Sequence, residues 1–262
     1  MSTPISGNQP LSRSSLAQGV ILDASSSLSL GPLPGLEQLS TAVTPLLPLL
    51  DGLITSPGQV RRFTGLLNAQ TTQWVRADWT NALRPANFVL PPETISHIFL
   101  LTPEDAISLE AQAMVISFLL GYEEQIEADC LRQTVQLALK GRQLGMPLIV
   151  DVHPTGPRVV LHNKAIELGF SYALEAGAEG VAVPWPGIAS YENIREMGGG
   201  IPIWIKPSRL DIPEEEQHVF ASGEVGLWLD EGFLAQPNPA GFLQQYRTLF
   251  SASNQSGKVE AG

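Results

Sequence analysis

Eight short runs rich in β-branched and aromatic residues recur along the chain, with longer stretches of helical periodicity between them. They are GVILDA (19–24), DGLITS (51–56), TQWVRAD (72–78), AMVISF (113–118), PLIVDVH (147–153), GVAVPW (180–185), PIWIKP (202–207) and VGLWLD (225–230). Strand-like runs that alternate with helices build βα units, each strand lying parallel to the last. Eight such strands close on themselves, so the expected fold is an α/β chain forming one (β/α)8 TIM barrel. A length of 262 residues, 44% of them hydrophobic, suits one domain with a substantial core. Residues 1–16 and 251–262 are polar, Ser/Gly-rich and aperiodic, and are expected to be flexible tails around a barrel domain at 17–250.

Local signals place several helices. EEQIEADCLRQTVQLALKGRQLG stops at Gly145, followed by Met146-Pro147. HNKAIELGFSYALEAG offers Asn163 as an N-cap and ends at Gly177, and NPAGFLQQYRTLF supplies the last helix. Residues 84–110 read as a long loop leading into a helix capped from Thr102.

Composition narrows the partners. A net charge of -11 repels polyanions, and no Lys/Arg cluster offers a nucleic-acid footprint. No apolar run approaches the roughly 20 residues of a membrane span. The opening MSTPISGNQPLSRSS lacks the apolar core of a secretion signal, so a cytoplasmic protein is expected. Cys130 is the single cysteine, which excludes an internal disulfide and any CxxC site. It falls in a helical pattern and is expected to be a buried thiol. His97, His162 and His218 show no ligand spacing, and no HExxH motif occurs, so neither a metal nor another cofactor is expected.

In barrels of this kind chemistry gathers at the C-terminal ends of the strands. That rule selects Asp23, Asp78, Asp151, His153, Trp185, Lys206, Asp230 and Glu231. Alternation along a strand puts Arg76 with Asp78, and Asp151 with His153, on common faces. Trp204 and Trp228 are expected to fill the core, with Trp185 as a pocket wall.

Five pieces in order resemble the archaeal-type class I aldolases, the group of fructose-bisphosphate aldolase, aminodideoxyheptulosonate synthase and the autoinducer-2 aldolase-like thiolase. They are LDASSSLSLGPLPGLEQL, DGLITSPGQVRR, LGYEEQIEADCLRQTVQLALKGRQLGMPLIVDVHPTGP, GAEGVAVPWPG and GLWLDEGFLAQPNPAGFLQQYRTLF. The resemblance runs from about residue 18 to 250 and implies the barrel fold and self-association as a homo-oligomer. It also implies that Asp23 matches a first-strand aspartate that assists proton transfer. His153 stands where the family's YPRG motif has its tyrosine acid/base, and a histidine suits proton exchange near neutrality. The family's Schiff-base lysine falls on Ala182, which cannot form an imine. Pro207 and Ser208 replace phosphate-binding glycines, and Asp230-Glu231 replaces a Gly-Arg pair, so a phosphate is disfavoured. Lys206, in IKPSRL, resembles a second active-site lysine of the more distant deoxyribose-phosphate aldolases.

These residues imply a lyase or transferase that forms or cleaves a carbon–carbon bond on a small, non-phosphorylated carbonyl substrate. Lys206 would form the imine, His153 would act as acid/base and Asp23 would orient substrate. Asp151, Trp185, Asp78, Arg76, Asp230 and Glu231 would line its binding site. The alternative is a catalytically inactive barrel serving as a binding or scaffold protein, with Lys206 paired at the rim to Asp230 or Glu231.

Overall fold

The computed structural model describes residue 16 and residues 19–33, 36–68 and 70–256. In chain order the strands are β1 (Val20–Asp23), β2 (Gly52–Thr55), β3 (Thr72–Arg76), β4 (Asp78–Thr80), β5 (His97–Phe99), β6 (Ala113–Leu119), β7 (Leu148–His153), β8 (Gly180–Pro184), β9 (Ile203–Lys206) and β10 (Gly226–Asp230). Eight of them close a parallel barrel in the order β1-β2-β3-β6-β7-β8-β9-β10, while β4 and β5 form a separate antiparallel pair. The fold is therefore a (β/α)8 barrel, and each barrel strand falls on one of the eight apolar runs. The helices are α1 (Ser27–Leu30), α2 (Leu39–Val43), α3 (Pro57–Phe63), α4 (Pro103–Ser108), α5 (Glu124–Leu144), α6 (His162–Glu175), α7 (Ile188–Gly198), α8 (Glu214–Ala221) and α9 (Pro239–Ser256). Among the described residues no helix is long and apolar enough to cross a membrane.

Alternation divides each strand between two cores. Outward residues such as Leu22, Leu53, Val75, Ile116, Val150, Val183 and Ile205 pack against the helices. Inward residues fill the barrel in layers, as closed barrels of this size require. The lower layer is apolar: Ile21, Ile54, Trp74, Val115, Ile149, Ala182, Trp204 and Trp228 form one cluster. Trp74 and Trp204 meet edge to face, with ring centroids 5.2 Å apart, the arrangement aromatic quadrupoles favour. Gly180 makes room for the Trp204 indole, since a Cβ there would sit 2.6 Å from its Cζ3. Two residues further along six of the eight strands the inward position turns polar: Asp23, Arg76, Ser117, Asp151, Lys206 and Asp230. The barrel is thus a hydrophobic plug beneath a charged lid.

Three boundaries differ from expectation. Residues 84–110 are not wholly loop, because His97–Phe99 pairs with Asp78–Thr80. Helix α6 starts at His162 with Leu161, not Asn163, at its N-cap. Helix α9 runs to Ser256, past the expected tail boundary at 250. Residues 1–15 and 257–262 of the expected tails lie outside the described residues. Elsewhere the local signals hold. Gly145 ends α5 in the left-handed conformation at φ 73°, and Thr102 and Asp105 form a reciprocal capping box on α4.

Candidate functional site

The polar layer opens into a cavity of about 360 Å3 at the C-terminal ends of the strands. Its floor carries Asp23, Arg76, Asp78, Asp151, His153 and Lys206, with Trp228 and Asp230 at one side. Six of the nine singled-out site residues thus meet on that floor, and Asp230 joins them at the rim. Trp185 and Glu231 do not line it. Trp185 follows the inward Pro184 and so turns outward, where it stacks on Tyr191 with centroids 6.5 Å apart. At Glu231 the strand has given way to a short 3-10 turn over Glu231–Ala235. Its buried carboxylate accepts from the Ser26 hydroxyl and, at 3.2 Å, from the Ser27 amide at the start of α1. Burial pushes the Glu231 carboxyl above its usual range, and the Ser26 hydroxyl only partly offsets it.

Arg76 is the hub. Its Nη2 bridges Asp23 and, at 3.1 Å, Asp151; its Nε donates to Ser25 Oγ at 3.2 Å and its Nη1 to Ser117 Oγ at 3.3 Å. Burial works against the guanidinium charge, but the surrounding carboxylates of Asp23, Asp151 and Asp78 outweigh it and hold the cation more firmly than in water. The Asp23 carboxylate is completed by Ser25, whose amide and hydroxyl donate at 3.0 and 2.5 Å.

Asp151 is shared three ways. One oxygen takes a hydrogen bond from Lys206 Nζ; the other faces Arg76 and lies 3.0 Å from His153 Nε2. The His153 contact is close but lacks hydrogen-bond alignment, so that buried nitrogen has no hydrogen-bond partner. Lys206 crosses above β8 to reach Asp151 on β7 rather than pairing with Asp230 or Glu231. The inward positions on β8 are Ala182 and Pro184, which leave the path clear. Trp228 supports the ammonium from one side, 5.9 Å from ring centroid to Nζ. Burial alone would raise the Asp151 carboxyl, but His153, Lys206 and Arg76 hold it far below the usual carboxylate range. Burial lowers the His153 imidazole, and Lys206 and Arg76 lower it further against the pull of Asp151. The site therefore holds a neutral imidazole beside an ammonium, both touching one carboxylate.

A residue passed over in the sequence completes the floor from behind. The His97 ring lies between Asp78 and Cys130, with Nε2 2.8 Å from Asp78 Oδ2 and Nδ1 3.2 Å from Cys130 Sγ. Asp78 Oδ2 also accepts from the Ser117 amide at 2.9 Å. Acceptors at both ring nitrogens satisfy the doubly protonated imidazolium. Burial opposes that charge, yet the hydrogen bonds to Asp78 and Cys130 and the Asp78 charge together outweigh it and raise the His97 pKa to about 9. The alternating TISHIFLL run was the signal for a strand that aims His97 at Asp78.

A pH dependence follows with a definite sign. The folded pKa of His97 lies above the unfolded value of about 6.5, so its stabilisation is complete below pH about 6.5 and lost as pH rises through about 9. Urea unfolding of the wild type and His97→Gln should show an advantage of a few kcal/mol near pH 6 that shrinks towards pH 10. An advantage independent of pH would assign His97 a packing role alone.

The positions that resemble a phosphate site are filled internally. Ser208 donates its amide to Glu216 Oε2 at 3.1 Å and its hydroxyl to the other oxygen of that carboxylate. Glu231 acts alike on the Ser26 hydroxyl and the Ser27 amide, so two glutamates take up these donors near the ends of β9 and β10. Ala182 is fully buried in the apolar plug, level with Trp204 on β9.

No family model matches the chain. Solved structures do share its fold. A Schiff base forming fructose-1,6-bisphosphate aldolase is 16% identical, with 89% of this chain and 94% of that one covered and a TM-score of 0.70. An archaeal fructose 1,6-bisphosphate aldolase is 16% identical over 89% and 93% of the two chains, with a TM-score of 0.69. The fructose-bisphosphate aldolase from Slackia heliotrinireducens is 13% identical over 89% and 80%, with a TM-score of 0.66. At these identities the likeness establishes the (β/α)8 fold alone, and a barrel hosts many chemistries.

Proposed function

We propose that this chain is a carbon–carbon lyase of the imine-forming aldolase type, acting on a small carbonyl compound without a phosphate. One observation carries the reading: a single carboxylate, Asp151, touches both the Lys206 amine and the His153 imidazole at the floor of the cavity. That bridge offers a route for the proton that must leave an ammonium before it becomes a nucleophile. Neutral His153, 3.0 Å from that carboxylate, takes the proton that Lys206 gives up, and the free amine adds to the substrate carbonyl. Imidazolium then protonates the carbinolamine oxygen, which departs as water and leaves an iminium. Neutral again, His153 takes the proton of the β-hydroxyl; the carbon–carbon bond breaks, an aldehyde leaves, and its electron pair moves into an enamine. Protonation at carbon by His153 and hydrolysis by water free the lysine. Arg76 and Asp23 hold Asp151 in place throughout.

The ion pair that links Lys206 to Asp151 also favours a second reading, a binding barrel without chemistry, because a paired ammonium does not attack carbonyls. Borohydride reduction separates the two. With dihydroxyacetone or pyruvate present, the intact mass should rise by one reduced adduct that maps to Lys206 and is absent from Lys206→Met. No adduct on the folded wild-type protein with either donor would leave the binding barrel standing.

A further inference from the structure

The cavity has two unlike sides. Opposite the charged floor, α1, the segment after it and the β4 hairpin present Leu28, Leu30, Leu33, Trp79 and Leu83. Five hydroxyl groups also line the space, and those of Ser25, Ser26 and Thr80 spend their hydrogens within the protein. Ser25 donates to Asp23, Ser26 to Glu231, and Thr80 to the Ser96 carbonyl at 2.9 Å. The Ser117 hydroxyl accepts from Arg76. Arg76 itself is spread over Asp23, Asp151, Ser25 and Ser117, which leaves Lys206 as the cation of the floor able to meet a substrate. A polyhydroxylated chain laid against this wall would exchange its water hydrogen bonds for leucine contacts, a costly transfer. A hydrocarbon chain would gain from the same contacts.

We propose that the leucine and tryptophan wall seats an apolar substituent, so that the substrate is an aldehyde or ketone bearing a hydrocarbon tail rather than a sugar. The head group lies at Lys206 and His153 and the tail runs beneath Leu28 and Leu83. At the roughly 30 Å3 that a water-sized group occupies in a liquid, the cavity of about 360 Å3 holds on the order of ten non-hydrogen atoms. That is room for a carbonyl head and a short tail. The proposal rests on the preceding reading for the placement of the head, whereas the tail site stands on the wall alone.

Equilibrium binding of 2-butanone, 2-pentanone, 2-hexanone and 2-heptanone, followed by tryptophan fluorescence, tests it, because Trp79 and Trp228 both line the cavity. Affinity should rise about fourfold with each added methylene. Dihydroxyacetone should bind more weakly than 2-hexanone. In Leu83→Asn, a change at a side chain already 37% exposed, the rise per methylene should flatten. Leu28→Ser should act alike, which guards against a local defect at one site. A series without chain-length dependence, tighter binding of dihydroxyacetone, or no binding of any ketone would overturn the proposal. The same series on Lys206→Met keeps the two readings apart. Persistent chain-length dependence without a borohydride adduct on the wild type sinks the imine and retains the tail site; an adduct without chain-length dependence does the reverse.

Discussion

Replacing Arg76 by methionine should cost the fold about 3–5 kcal/mol, the usual loss when one partner of a buried ion pair is removed. The volume is nearly kept, so the loss is electrostatic. Asp23 and Asp151 lose the cation they share, and Asp78, 1% exposed, loses the guanidinium that lies 3.9 Å from its unbonded oxygen. Total stabilities of domains run only to about 5–15 kcal/mol, and at about 2–4 °C per kcal/mol the melting temperature should fall by on the order of 10 °C. Lower pH should relieve the defect. Carboxylates left without their shared cation take up protons more readily than in the wild type, so the destabilisation should be greatest at neutral pH and fade in acid. Adding Asp23→Asn and Asp151→Asn to Arg76→Met should recover part of the loss at pH 7. A variant as stable as the wild type, or a loss that grows in acid, would show that Arg76 does not hold this layer together.

That layer was legible in the sequence to an instructive degree. The strand runs read clearly because β-branched and aromatic residues favour a pleated, half-buried surface. The inward pairs Ile21/Asp23, Trp74/Arg76, Ile149/Asp151, Trp204/Lys206 and Trp228/Asp230 repeat one apolar-then-polar step, which marks where the plug ends and the site begins. Parity also held the position of Trp185: with Ala182 and Pro184 inward, residue 185 faces α7, and reading it as a pocket wall set that parity aside. What single-strand parity cannot carry is partner choice. Lys206 bypasses neighbouring strands because Ala182 and Pro184 leave the space above β8 open, a fact of three-dimensional packing. Glu231 turns from the cavity because the chain leaves strand geometry one residue earlier. His97 lies outside the eight barrel strands and joins the floor only through the β4–β5 pair.

His153 is where the proposed chemistry is most exposed to test. As the acid/base it should account for about 10²–10⁴-fold in rate, so His153→Gln should lower kcat by that range once a cleavable substrate is in hand. The pH profile is the sharper readout. A base must be neutral, and burial with the nearby cations of Lys206 and Arg76 lowers the imidazole below its ordinary value. The acid limb of kcat/KM should therefore fall below pH about 6.5, with full activity kept at neutrality. Arg76 adds to the depression that burial sets, so weakening it should move the limb upward. His153→Tyr should retain more activity than His153→Gln and carry its limb at higher pH, since a phenol can still exchange a proton in the same place. An acid limb unmoved by these changes, or a His153→Gln rate equal to wild type, would remove the imidazole from the reaction and leave Asp151 as the group that handles the proton.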